Sequence, residues 1–122
     1  MNDAAAPEAQ ARQLMVNGTR AYLGTLAERP GSGGNAAVFP FVSLVLPALD
    51  PRGCPLLLLS DLSDHARNLN RAPQSSLLFD GTAGLAEPLT GPRLTLIGRV
   101  SRADEADNRA HYLAAQPSAK DY

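Results

Sequence analysis

Residues 55–69 read Pro-Leu-Leu-Leu-Leu-Ser-Asp-Leu-Ser-Asp-His-Ala-Arg-Asn-Leu, and the rest of the chain is organised around this stretch. Its first half, Leu56 to Leu59, is a short apolar run that predicts a strand buried on both faces. From Ser63 the pattern becomes helical, because Ser63 can cap the first amide groups and Pro73 stops the helix. The stretch therefore predicts a buried strand followed closely by a short helix.

Polar side chains cluster at the junction between this predicted strand and helix: Ser60, Asp61, His65, Arg67 and Asn68. The start of a helix offers free N–H groups and a partial positive charge, so a phosphate is a natural ligand there. Asp64 is an objection, because an acidic side chain in the first turn repels a phosphate unless it points away. The junction predicts an anion site.

Length, charge and cysteine count limit the number of domains, the classes of ligand and the cellular location that are compatible with this site. The chain has 122 residues, enough for one domain, and its 11 basic and 12 acidic residues give a net charge of -1. That balance argues against a nucleic-acid surface. We expect neither a signal peptide nor a membrane span at the sequence level. The lone cysteine, Cys54, cannot form an internal disulfide, which fits a structural role and a cytoplasmic protein.

The segments before the central stretch predict one helix and two strands. A helix is expected over Pro7 to Val16, and a strand over Ala21 to Leu26, for which a continuing helix is the alternative. Arg29 to Asn35 has the composition of a flexible loop. Val38 to Leu49 is apolar but interrupted by prolines, which places it at a sheet edge or a bulge. A tight turn at 50–53 joins the segments on its two sides into a hairpin.

The segments after the central stretch predict two more strands and a helix. Ser75 to Phe79 and Arg93 to Ser101 read as strands, separated by a turn that starts at Asp80. Asp104 is the expected cap of the last helix, whose shared apolar face holds Ala106, Ala110, Leu113 and Ala114. Five or so strands joined by hairpins, with short helices inserted, predict a small β-barrel with α additions, of class α+β.

Four segments, in order, resemble a known family. They are Pro40 to Val45, Leu57 to Leu69, Pro73 to Leu78 and Gly91 to Gly98. Together they are similar to the FMN-binding split barrel of the pyridoxamine 5'-phosphate oxidase-related proteins, and their spacing is closest to the HugZ-type branch of haem-utilisation proteins. The resemblance covers roughly residues 14–112 and implies a single split-barrel domain over 1–122, in which residues 1–13 form a partly flexible lead-in.

The resemblance implies a homodimer that holds FMN at the subunit interface. Carried over position by position, the phosphate partners are Ser60, His65, Arg67 and Asn68. Val42, Ser43 and Leu44 would run past the flavin ring, and Arg93 and Thr95 would approach from the later strand. A guanidinium can bind two phosphate oxygens at once, which agrees with this placement of Arg67. Leu94, Leu96, Val100 and the leucine run are the apolar surface expected to bury in the dimer.

Departures from the family affect the expected activity. Where oxidases of pyridoxamine phosphate carry a basic pair, this chain has Asp64 and His65, and it has no tryptophan. The C-terminal region that supplies the haem ligand in haem-degrading relatives is also not found here, which leaves only His65 and His111. A true pyridoxamine phosphate oxidase is therefore not expected.

Three functional hypotheses remain open. The main one is an FMN-binding protein that acts as a flavin-dependent oxidoreductase on an unknown substrate, because the flavin supplies the chemistry and the protein positions it. The second is a haem-binding or haem-degrading protein of iron utilisation. The third is a structural barrel dimer without a cofactor. No catalytic residue is assigned, and no metal cluster or Gly-rich nucleotide loop is recognisable in the sequence.

Relatives of this resemblance usually add a strand after the helix that ends near Pro117. Without that strand, either the barrel closes with the strands present or one edge stays open. We expect an open edge, covered by the N-terminal helix or by the partner subunit, because unpaired strand edges invite aggregation. The flavin site would then be more open than in the relatives.

Overall fold

The structure is a computed structural model that describes residues 6–103 and 105–121. Within these residues, three α-helices and six strands follow one another. In order they are α1 (Pro7–Asn17), β1 (Ala21–Pro30), β2 (Ala36–Val45), β3 (Ala48–Leu49), β4 (Pro55–Leu56), α2 (Asp64–Arg71), β5 (Gln74–Asp80), β6 (Arg93–Arg99) and α3 (Ala106–Ala115). Short 3-10 turns lie at Ser32–Gly34, Pro88–Thr90 and Pro117–Asp121.

Four antiparallel strands form the main sheet, in the order β2-β1-β5-β6. The β1–β2 pairing is the longest and runs from Ala21 opposite Val45 to Pro30 opposite Ala36. The remaining strands, β3 and β4, make a separate two-stranded hairpin. Both β2 and β6 are edges of the main sheet, so the described strands do not close into a barrel.

One face of the main sheet carries the core. Ala21, Leu23, Val45, Leu77 and Phe79 form a buried cluster, in which Phe79 and Leu23 are the largest fully buried side chains. These residues share a face because strand side chains alternate and antiparallel partners point the same way. Helix α2 packs on this face, against β1. The core therefore fixes where α2 begins.

The opposite face of the sheet, here called the outer face, is exposed. It carries Tyr22, Val42, Leu44 and Ile97, of which Val42 is 69% exposed and Ile97 is 86% exposed. An apolar set of this size on one sheet face is unusual for a surface that meets only water. The outer face is a candidate surface for contact with another protein chain.

A smaller core joins the β3–β4 hairpin to the C-terminal helix. Ala48, Tyr112 and Ala119 are buried there, with Leu56 packed against them. The Tyr112 hydroxyl donates a hydrogen bond to the Leu46 carbonyl at 2.7 Å. This contact brings α3 close to the end of the hairpin, although the two are far apart in sequence.

Most of the predicted elements are confirmed. The structure has the expected first helix, the strands at β1, β5 and β6, and a helix that starts directly after Ser63. The turn at residues 50–53 closes the β3–β4 hairpin through a bond from the Gly53 amide to the Asp50 carbonyl, at 2.9 Å. Gly53 has φ of 86°, a left-handed conformation that glycine adopts without strain. The apolar segment with prolines lies at a sheet edge, as predicted.

Three expectations about the fold are wrong. Leu56 to Leu59 is not a strand buried on both faces: only Leu56 is in a strand, and Leu58 is 52% exposed. Leu57 and Leu59 lie in an irregular segment and pack against the main core. Their apolar side chains are therefore partly buried, although the two residues form no strand pairing. The alternative that the barrel closes with the strands present is also wrong, because β2 and β6 remain edges of the described sheet.

The third wrong expectation concerns the last helix. Its predicted apolar face of Ala106, Ala110, Leu113 and Ala114 is exposed, and Tyr112 is the residue of α3 that is buried. A tyrosine buries much more apolar area than an alanine, and its hydroxyl finds a partner at the hairpin. The expected cap, Asp104, lies outside the described residues.

The N-terminal helix does not cover the open edge at β2. Helix α1 packs against β3, β5 and β6. The prediction that an edge stays open is consistent with the sheet, and α1 contacts β6, the other edge strand. For the edge at β2, the partner subunit is the expected cover. That cover stays a prediction.

Candidate functional site

A cleft of about 910 Å³ lies on the core side of the sheet, between the loop before α2, the end of β6 and the segment that leads into α3. The cleft runs along the edge strand β6, where the sheet is open. Its position follows from the fold, because the β3–β4 hairpin and α3 stand apart from that edge. A volume of this size is typical of sites for small molecules and cofactors.

The lining of the cleft combines an apolar set, here called the floor, with a charged set of four arginines and three acidic residues. The floor is made of leucines that also touch the main core, namely Leu23, Leu57, Leu59, Leu69, Leu77 and Leu96. Four arginines, here called the rim, also contribute to the lining, namely Arg52, Arg99, Arg102 and Arg109. Such a site suits a ligand that has a flat apolar body and carries negative charge at its edge.

Two of the acidic residues in the lining are held within their own turns. Asp50 accepts bonds from the amides of Arg52 and Cys54 at 2.8 and 2.9 Å, which lower the pKa of its carboxyl below the usual range. Glu105 accepts a bond from the Asn108 side chain at 2.6 Å. Among the described residues, neither carboxylate is paired with a rim arginine in a salt bridge.

The third acidic residue, Asp61, bridges the cleft. Its Oδ1 lies 3.0 Å from Nη2 of Arg102, and both side chains are largely exposed, at 72% and 60%. Asp61 belongs to the loop before α2, and Arg102 to the segment that leads into α3. The ion pair therefore connects two walls of the cleft.

The predicted anion site at the start of α2 is built as a capped helix. The Ser63 hydroxyl accepts a bond from the Ala66 amide at 3.2 Å, which makes Ser63 the helix cap. Ser60 accepts from the Leu62 amide through its side chain at 3.2 Å. Arg67 lies 2.8 Å from Asp64, and this bond lowers the pKa of the Asp64 carboxyl. A phosphate here would compete with Asp64 for Arg67.

The other two residues of the predicted phosphate set differ in their exposure. Asn68 is buried and donates a hydrogen bond from Nδ2 to Thr25 Oγ1 at 3.0 Å. Its side chain is thus directed at the sheet. His65 is partly buried, and burial lowers the pKa of its imidazole below the ordinary value, 6.5. At neutral pH His65 is a neutral hydrogen-bonding group.

The residues predicted to line the flavin ring lie on both faces of the sheet. Val42 and Leu44 are on the outer face, and Ser43 between them points to the core face. The Ser43 hydroxyl oxygen is buried and has no hydrogen-bond partner among the residues that the structure describes. Arg93 and Thr95 are exposed on β6, where Arg93 donates to the Pro88 carbonyl at 2.7 Å.

One chain therefore does not bring the nine predicted residues into a single pocket. Ser60, His65 and Arg67 are neighbours around the start of α2. The outer-face residues Val42, Leu44 and Thr95 share the other side of the sheet with Arg93, as their strand register shows. A site that used both groups would need contributions from two subunits, which is what the family resemblance implies.

The arginines of the cleft are functional candidates that the sequence-level reasoning missed. Arg99, Arg102 and Arg109 alternate with three acidic residues, Asp104, Glu105 and Asp107, so positive charge in this segment is not a usable signal. Arg52, in the hairpin turn, carries no such signal either. The apolar run that contains Leu57 and Leu59 is a recognisable signal, but it predicts a buried strand and not a cleft.

Within the described part of the chain, no group of three or more potential ligand side chains is placed to hold a metal ion. Cys54 is a free, exposed cysteine that belongs to the cleft lining. The helices of the described residues include none long and apolar enough to cross a membrane.

Comparisons with known proteins place this fold. No known family model matches the sequence. One solved structure is 35% identical, with a TM-score of 0.74 over 97% of this chain and 75% of that chain. The two chains belong to one family, and its fold is split-barrel-like.

Two further relatives have names that concern haem. Non-canonical heme oxygenase HOZ, a chloroplastic protein of Arabidopsis thaliana, is 40% identical over 84 residues, which are 66% of this chain and 25% of that protein. The chain thus spans about a quarter of the length of this curated relative. A heme binding protein from Mycobacterium smegmatis is 27% identical, with a TM-score of 0.73, over 98% of this chain and 48% of that chain.

Proposed function

We propose that the protein binds haem in the cleft beside β6 and acts in haem binding or utilisation. The observation that carries this proposal is the combination of a leucine floor and an arginine rim in one cleft. The names of the relatives support it, because HOZ is a haem oxygenase and the mycobacterial protein binds haem. They favour the haem hypothesis over the flavin-dependent oxidoreductase.

The shape and chemistry of the cleft fit a porphyrin. Haem is a flat apolar ring with two carboxylates on one edge, so it needs an apolar slot that ends in positive charge. Leu57, Leu59 and Leu96 would contact the ring and exclude water from it. Arginines at the rim would bind the carboxylates, since a guanidinium pairs well with a carboxylate.

Binding through the ring and its carboxylates does not require an iron ligand from the described residues. Neither His65 nor His111 lines the cleft. The groups in its lining that can ligate haem iron are the Cys54 thiol and the Tyr112 phenol, and the phenol donates to Leu46. When bound, haem would supply redox chemistry at its iron, and the residues of the chain would hold and orient it.

A second proposal is that FMN binds with its phosphate at the start of α2. The capped helix, with Ser60, His65 and Arg67 around its first turn, supports this proposal. Because Asn68 bonds to Thr25, the phosphate shell would consist of the other three residues. Val42 and Leu44, with Arg93 and Thr95 on the same outer face, would complete the flavin site from a partner subunit.

The proposal also includes a homodimer formed through the outer face. Tyr22, Val42, Leu44 and Ile97 are exposed together there, and burying them would remove a large apolar patch from water. Leu94 and Leu96, which the sequence assigned to the dimer contact, pack against the core instead. A cytoplasmic location stays a prediction.

Parallel titrations with hemin and with FMN distinguish the two ligands. Haem binding predicts a Soret band that saturates with hemin, whereas FMN binding predicts quenched flavin fluorescence. Replacing Arg67 with Ala should weaken FMN by about ten- to a hundredfold, because a charge-assisted pair is lost. The same variant should leave the hemin titration unchanged, since Arg67 does not line the cleft. If neither ligand saturates the protein, the remaining hypothesis is a structural barrel dimer without a cofactor.

A further inference from the structure

We propose that Arg102 binds a carboxylate of the porphyrin and that Asp61 is the internal competitor which this carboxylate displaces. The inference rests on the proposed haem-binding function and names the residue that would bind the carboxylate edge of the ligand. It starts from the ion pair between Asp61 and Arg102, which connects two walls of the cleft at 3.0 Å.

This ion pair is weak enough to exchange. Both side chains are largely exposed, so water screens their attraction, and exposed pairs contribute about 0–1 kcal/mol. When the porphyrin ring is buried on the leucine floor, its carboxylate would take the place of the Asp61 carboxylate beside Arg102. The charge on Arg102 stays compensated in both states, so the exchange costs little.

Asp61 differs from the other acidic residues of the cleft. Asp50 is held by backbone amides of its own turn, and Glu105 by Asn108. Asp61 is the carboxylate of the lining that forms a salt bridge with a rim arginine. Removing its charge therefore raises the positive potential at the rim without disturbing either turn.

The position of Arg102 lets the exchange affect the shape of the cleft. The chain just before it is fixed to the sheet, because the Val100 amide donates to the Pro73 carbonyl at 3.0 Å. The Asp61 side of the pair belongs to the irregular loop that carries Leu57 and Leu59. Breaking the pair frees this loop to adjust to the ring, while Arg102 stays in place.

The test uses iron-free protoporphyrin IX, which has both carboxylates and no metal, and its dimethyl ester, which has the same ring with both carboxylates esterified and uncharged. We expect Arg102→Gln to weaken protoporphyrin by about fivefold and Asp61→Asn to strengthen it by about threefold. Arg102→Lys should recover part of the loss because it keeps the charge. None of the three variants should change the affinity for the ester.

Two matched controls show that the effect belongs to the cleft. Arg12→Gln removes an arginine of α1, and Glu28→Gln removes the carboxylate of the ion pair with Arg71, and neither residue lines the cleft. Both should bind protoporphyrin like the wild type. Thermal unfolding of each variant, followed by circular dichroism, checks that the fold is kept.

The outcomes separate this inference from the proposed function. Normal protoporphyrin binding by the Arg102→Gln and Asp61→Asn variants would overturn the inference and leave haem binding intact. Equal shifts for the acid and the ester would also overturn it. If the wild type binds neither protoporphyrin nor hemin, the proposed function fails and the inference fails with it.

Discussion

Asn68 of α2 donates a hydrogen bond from Nδ2 to Oγ1 of Thr25 on β1, and both side chains are buried. The bond fixes the helix on the core face of the sheet, at 3.0 Å between donor and acceptor. It satisfies two polar groups that are otherwise costly to bury. The orientation of α2, and with it the loop at the cleft, depends on this contact.

Replacing Thr25 with Val should therefore destabilise the protein by about 1–3 kcal/mol, because the buried Asn68 amide loses its partner. Chemical denaturation measures the free energy of unfolding. Thr25→Ser is the matched control, since it keeps the hydroxyl and should lose much less. A Thr25→Val variant as stable as the wild type would show that the bond contributes nothing.

The pH dependence of stability should include a step from His65. Burial lowers the pKa of His65 below 6.5, so the unfolded state takes up a proton before the folded state does as the pH falls. The free energy of unfolding therefore has its full value at pH values above the unfolded-state pKa of His65, and it decreases as the pH falls below that pKa. The carboxyl groups of Asp50, Asp64 and Asp80 have pKa values lowered from 3.8, so they titrate at lower pH.

Urea denaturation at about pH 7.5 and about pH 5.5 measures this step. We expect the wild type to lose more stability between the two conditions than a His65→Gln variant, which has no group to protonate at that position. The same loss in both proteins would assign the pH dependence to other groups.

The dimer proposal predicts that a charge on the outer face dissociates the subunits. Val42→Asp places a carboxylate in the exposed apolar set and should give a monomer by light scattering at micromolar concentration, with the fold retained. Val16→Asp is the matched control, because Val16 is 61% exposed but lies on α1. A wild-type protein that is already monomeric, or a Val42→Asp variant that stays dimeric, would contradict the proposal.

The local elements of this fold could be predicted because their signals are local. The signals from Ser63 before a helical pattern, from the turn chemistry at Gly53 and from Pro40 in β2 each depend on neighbouring residues. The leucine run at 56–59 misleads for the same reason. An apolar run indicates burial, but whether a strand lies beside it is decided by distant parts of the chain.

The candidate site is harder to predict because its parts come from separate segments. The junction at 60–68 is recognisable as polar, but the Asn68 side chain donates its hydrogen bond to Thr25, a residue of β1. The cleft depends on β6 and α3 lying apart, and Tyr112 sets that spacing by bonding to Leu46. No local pattern of the sequence encodes either contact.

The location of the haem site can be tested at Gly98. This residue lines the cleft from β6, and a Cβ atom added there meets no other atom within 4 Å. Gly98→Trp should fill the cleft without disturbing the core. Leu89→Trp is the matched control, because Leu89 is 87% exposed and does not line the cleft.

The measurement that tests the central claim most directly is the hemin titration of these two tryptophan variants beside the wild type, followed at the Soret band. We expect Gly98→Trp to weaken hemin by at least about tenfold, since the ring loses its apolar slot, and Leu89→Trp to bind like the wild type. Equal hemin affinity in all three proteins, with Gly98→Trp folded, would contradict a haem site in this cleft.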